Sequence, residues 1–87
     1  MELFEGKHWR DILAERQRQD AKWGEQNHDN ILWTAILTEE VGEFAQAALQ
    51  VRFGGPKGAG LRDEAVQVAA VAVAIIECID RRNNKLE

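Results

Sequence analysis

Residues 65–79 read Ala-Val-Gln-Val-Ala-Ala-Val-Ala-Val-Ala-Ile-Ile-Glu-Cys-Ile, and only Gln67 and Glu77 among them are polar. A buried β-strand would also carry the run from Val68 to Ile76. Four alanines in those nine residues, and the length of the flanking pattern, favour a helix. A helix that is apolar nearly all round must be covered on most sides. The chain has 87 residues, enough for one domain, residues 1–87, with a modest core. Three helices of this size cannot surround the third. The pattern therefore predicts an all-α chain with three main helices, completed as a helical bundle by dimerisation.

Two glycine-bearing interruptions divide the chain. The first helix is expected over residues 8–22, where Trp9, Ile12, Leu13 and Arg16 fall at i, i+3, i+4, i+7 and share one face. Trp23-Gly24 ends it, with Gly24 as C-cap. Asp29 or Asn30 can cap the second helix, expected over residues 31–52. Its apolar stripe is Trp33, Leu37, Val41, Phe44, Ala48 and Val51. Residues 53–60 hold four glycines and a proline, which cannot continue a helix. The third helix is expected over residues 61–82, with positive charge in residues 80–85 at the negative end of its dipole.

Charge and composition narrow the function classes. The net charge is −4 and no block of Lys and Arg occurs, which disfavours nucleic-acid binding. The longest apolar run falls well short of the ~18 residues of a membrane span, so no membrane association is expected. Cys78 is the only cysteine, which excludes an intrachain disulfide and agrees with a reducing cytoplasm. The opening residues lack the basic and apolar regions of a signal peptide.

The chemistry is concentrated in carboxylates. Glu39, Glu40 and Glu43 stand in Thr-Glu-Glu-Val-Gly-Glu-Phe. At about 100° per residue, Glu43 lies about 40° from Glu39 and about 60° from Glu40 around the helix. Glu40 and Glu43 border the apolar stripe, where a carboxylate is costly unless compensated. On the third helix Glu64 and Gln67 share a face, with Asp63 nearby. Antiparallel packing through the short loop lets Glu40 and Glu43 oppose Glu64 and Gln67. Three acids on neighbouring faces repel one another, and a cation relieves that repulsion. An all-oxygen ligand set suits magnesium better than zinc. Glutamates at i, i+3 are usually solvated, so the weight rests on two clusters lying beside apolar surfaces on successive helices.

The string Glu39-Glu40-Val41-Gly42-Glu43 resembles the EExxE motif of the MazG-like all-α nucleotide pyrophosphohydrolases. Glu64-Ala65-Val66-Gln67 sits where that family has ExxD, and the resemblance covers roughly residues 23–79. It implies magnesium-dependent hydrolysis of a nucleoside triphosphate, in the first instance a deoxynucleoside triphosphate, to monophosphate and pyrophosphate. By position it implies Glu40, Glu43 and Glu64 as metal ligands and Glu39 as a ligand or the orienter of the attacking water. It further implies a homodimer or homotetramer. Gln67 departs from the family pattern, which has Asp. Its amide oxygen can coordinate magnesium but brings no charge.

Other candidates surround these. Trp23, in the first break, is placed to stack on a base, whereas Trp33 on the apolar stripe reads as core. His28 lies in the same region, where such enzymes line their base pocket, although a capping or surface role is the commoner one. Lys57 and Arg62 are the basic residues placed to reach phosphates; the glycine-rich segment around Lys57 is no Walker A loop, lacking GK[ST] at the required spacing. Arg16 turns either inward toward phosphate or outward into a salt bridge. The resulting expectation is a magnesium-dependent pyrophosphohydrolase with Glu39 or Glu43 as general base. The rival is a catalytically degenerate nucleotide-binding or structural helical dimer. A di-iron bundle is distant, because Glu-x-x-His is absent.

Overall fold

The computed structural model describes residues 6–85. Among them are three α-helices and a 3-10 turn, and no strand: α1 Lys7–Trp23, α2 Asn30–Phe53, the 3-10 turn Pro56–Gly60, and α3 Leu61–Asn84. The chain is all-α as expected, and each helix exceeds its expected bounds by at most two residues at either end. No helix among the described residues is long and apolar enough to cross a membrane.

The breaks form for local reasons. Gly24 takes φ 72°, a left-handed conformation that ends α1, and its N–H donates to the Asp20 carbonyl. Of the two possible caps for α2, Asp29 serves: its carboxylate accepts from the Leu32 N–H at 2.8 Å. The glycine-rich segment folds back on α2, where the Gln50 amide oxygen accepts from the Lys57 N–H at 2.7 Å. Gly58 is required there, since a Cβ would sit 3.0 Å from the Val51 backbone nitrogen. This short, organised connection reverses the chain and lays α3 against α2.

α3 is the central element, with α1 and α2 each packing on it rather than on each other. The core is small: Trp33, Ala74 and Cys78, with Ile36 and Ile75 packed against them. The Trp33 indole N–H finds no oxygen or nitrogen partner. The neighbouring Cys78 thiol is held below its ordinary pKa by the Trp33 indole N–H, aided by Arg82, against the opposing effect of burial. At its far end α3 anchors the α1–α2 connection. Arg81 donates to the Gln26 carbonyl and the Asn27 side-chain oxygen, each at 2.9 Å, and Arg82 donates to the Asn30 side chain.

Two expectations about faces need correction. The first-helix stripe is largely uncovered: Leu13 and Trp9 are exposed, while Arg16 is the one buried residue of α1. The second-helix stripe is rotated. Trp33 is buried, but Val41 and Val51 are exposed, and the face against α3 instead carries Trp33, Ile36, Glu40 and Ala47. This face lies about 60° from the expected stripe. Apolar residues cover a broad arc of α2, and with α3 as its one helical neighbour only part of that arc is covered. The uncovered part is a shallow apolar groove lined by Val41, Phe44, Ala48, Leu49 and Phe53. The radius of gyration is 14.8 Å, against about 12 Å for a compact domain of this length.

Candidate metal and nucleotide site

α2 and α3 bring three carboxylates together. One oxygen each of Glu40, Glu43 and Glu64 lie within 4.8 Å of one another, Glu43 exposed and the other two half-buried. One oxygen of Glu40 and one of Glu64 are buried without a hydrogen-bond partner. Burial raises the Glu40 carboxyl above its ordinary pKa, and the charges of Glu43, Glu64, Glu39 and Glu15 raise it further. Burial likewise raises Glu64, followed by the charge of Glu43 and a contact with Glu43 that becomes a hydrogen bond when one of the pair is protonated. Lys57 acts in the opposite sense on Glu64 but less strongly; its ammonium is bonded to the Gln46 side chain at 2.9 Å. Orphaned oxygens, mutual repulsion and an all-oxygen donor set fit a magnesium ion.

The remaining candidates are placed around this cluster. Glu39 is exposed and lies outside the group of three. Gln67 borders a pocket with Glu15, Arg18, Asp63 and Val66, on the side of α3 that faces α1. Arg62 pairs with Asp11 of α1 at 2.8 Å. His28 packs edge-on against Trp33, with ring centroids 4.8 Å apart, and its Nε2 bonds to the Gln26 amide oxygen. His28 therefore supports the wall behind Trp33. Trp23 is exposed at the end of α1, with the Lys22 ammonium 4.8 Å from its ring centroid.

Glu40 links the cluster to a pocket of about 280 Å³ lined by Gln19, Trp23, Gln26, Trp33, Ile36, Glu40, Val71 and Ala74. Its walls are mostly apolar, with two indoles and two amides. Such a pocket suits a flat heteroaromatic ring with polar edges. Gln19, Gln26 and Glu15 had no mark in the sequence, because their importance comes from where α1 crosses α3. The only available signal was the amide-rich face of the first helix.

Arg16 resolves inward, but onto the protein. It donates to Glu77 at 2.7 Å, to Asp20 at 2.9 Å and to the Gln19 amide oxygen at 3.1 Å. Glu77, one of two polar residues in the apolar stretch of α3, is thereby paired. Comparison of the chain with protein-family models, with curated proteins and with solved structures yields no match.

Proposed function

We propose that this chain is a magnesium-dependent nucleoside triphosphate pyrophosphohydrolase of the MazG-like kind, working as a homodimer or homotetramer. The observation that carries the reading is the joining of two features through Glu40. Three converging carboxylates with buried, unpartnered oxygens lie at one end, and a two-tryptophan pocket opens at the other. In this reading Glu40, Glu43 and Glu64 hold the metal and Trp23 stacks on the base. Bound magnesium would polarise phosphoryl oxygens and lower the pKa of a coordinated water. Glu39 or the exposed Glu43 accepts the proton of the attacking water. Lys57, whose charge reaches Glu64, is the basic residue that would contact phosphates held at the metal. The apolar groove on α2, with Leu49 and Phe53 exposed, supports self-association through that face.

The second reading, a degenerate nucleotide-binding or structural dimer, is favoured by Gln67, whose neutral side chain stands among Glu15, Arg18 and Asp63. A screen of NTPs and dNTPs with magnesium, scored for pyrophosphate against orthophosphate, separates the two. Pyrophosphate is expected. Nucleotide binding with no turnover establishes the degenerate reading. Sedimentation tests the assembly, and a folded monomer at micromolar concentration rules it out.

A further inference from the structure

The two amides in the tryptophan pocket are not free to turn. Arginine has donors and no acceptor, so the Gln19 atom facing Arg16 is the oxygen. Arg16 is itself fixed by Glu77 and Asp20. The Gln26 amide oxygen lies 2.8 Å from His28 Nε2, which donates to it in the tautomer protonated at that nitrogen. The Gln26 backbone is held from the other side by Arg81. Each oxygen already accepts one bond, and the group on each residue that makes no bond is its NH₂. Neither nitrogen has a hydrogen-bond partner among the described residues. The carboxylate lining the pocket, Glu40, belongs to the cluster at its end.

We infer that Gln19 and Gln26 make this pocket selective for oxo bases, whose edges carry carbonyl acceptors, over bases carrying an amino group at the same position. Uracil, thymine and hypoxanthine offer acceptors to two fixed NH₂ donors. In the same pose cytosine and adenine place an NH₂ where the exchanged carbonyl stood, and a donor facing a donor there leaves both unsatisfied as water is excluded. The ring stacks on Trp23, and the amides read its edge. This inference rests on the pocket being the base site of the proposed function.

The experiment is calorimetric titration with magnesium and α,β-imido analogues, which are not hydrolysed, in matched pairs: dUTP against dCTP, and dITP against dATP. The members of each pair differ at an oxo or amino group. The oxo member is expected to bind about tenfold more tightly in both. Gln19→Glu and Gln26→Glu keep an acceptor for Arg16 and for His28 while replacing the donor with a carboxylate oxygen. Each is expected to shrink the preference or reverse it. Equal binding within both pairs, a preference for the amino member, or a preference unmoved by both variants overturns the inference. Binding of no analogue overturns it as well. Pyrophosphate release in the substrate screen is read separately, so an enzyme without base preference keeps the proposed function and loses only this selectivity.

Discussion

Two polar constellations flank α3, and they treat buried charge in opposite ways. On the α1 side the buried Arg16 guanidinium meets Glu77 and Asp20, so each charge has a partner within the chain. On the α2 side Glu40, Glu43 and Glu64 converge with no arginine or lysine bonded to them among the described residues. Nearby basic residues are committed elsewhere, Lys57 to Gln46 and Arg62 to Asp11. The same helix thus supports one site that is neutralised by the protein and one whose repulsion no bonded basic residue among the described ones offsets, the role the proposed function gives to magnesium. The first holds the helices together, whereas the mutual repulsion in the second costs stability.

The largest expected effect comes from breaking the self-sufficient side. Arg16→Ala removes a buried side chain and leaves Glu77 and Asp20 unpaired. Both partners are about half exposed, so the loss falls below that for a fully buried pair, at roughly 2 kcal/mol. Urea unfolding measures it. The Arg16 stem also covers apolar surface, so Glu77→Gln should cost less, about 1 kcal/mol. Equal stability of Arg16→Ala and the wild type would mean that the network does not hold α1 on α3.

The acid side should respond to magnesium instead. At free magnesium ten times Kd, the wild type should gain roughly 1.4 kcal/mol by linkage. Glu40→Gln and Glu64→Gln should each lose most of that gain while being more stable than the wild type in EDTA, since neutralising one acid relieves the others. Arg16→Ala should keep the magnesium gain. Thermal melts of all four proteins, with magnesium and with EDTA, check both statements. Glutamine variants that unfold in EDTA would make the cluster structural.

A smaller effect is the pH dependence without metal. Glu40 and Glu64 stand above the ordinary value of 4.5 in the folded chain. A raised carboxyl favours folding fully below its unfolded pKa, and that contribution is lost as pH rises through the folded pKa. In EDTA the wild type should therefore lose stability relative to Glu40→Gln as pH rises above 4.5. Asp11, held low by Lys7 and Arg62, acts in the opposite sense in both proteins and cancels in the difference. A difference in melting temperature that is flat with pH contradicts the raised carboxyls.

The helices and the acid trio were legible because both follow from local rules. Gly24 and residues 53–60 mark the breaks, and the 3.6-residue period places Glu40 and Glu43 on one flank of the second helix. The faces were less legible. On α2 the stripe through Val41 and Val51 is the more apolar one, yet the face through Ile36, Glu40 and Ala47 meets α3. Which of them meets α3 depends on how closely the helices approach, and small residues such as Ala47, Ala70 and Ala74 set that. Arg16 was ambiguous for the same reason, since its partner Glu77 lies 61 residues away. The pocket amides were invisible because they belong to a crossing of helices and to no periodic pattern.

Gln67 sharpens the comparison most finely, because it lies between the two sides. It shares its pocket with Glu15, whose side chain is only 16% exposed and paired with Arg18, and with Asp63. Glu15 in turn raises Glu40, so the electrostatics of this pocket reach the cluster. Gln67→Asp adds a negative charge beside two others, with Arg18 offsetting part of the repulsion. In EDTA the expected cost is small, about 0.5 kcal/mol. In magnesium the added charge should tighten binding about threefold, because a carboxylate attracts the cation through a partly desolvated region. The two effects nearly cancel at saturating metal, so the melts of variant and wild type should converge there and separate in EDTA. Calorimetric magnesium titration of both proteins reads the affinity directly. Unchanged magnesium affinity with a lower melting temperature in both conditions would assign Gln67 to the packing of α1 on α3 and remove it from the metal site.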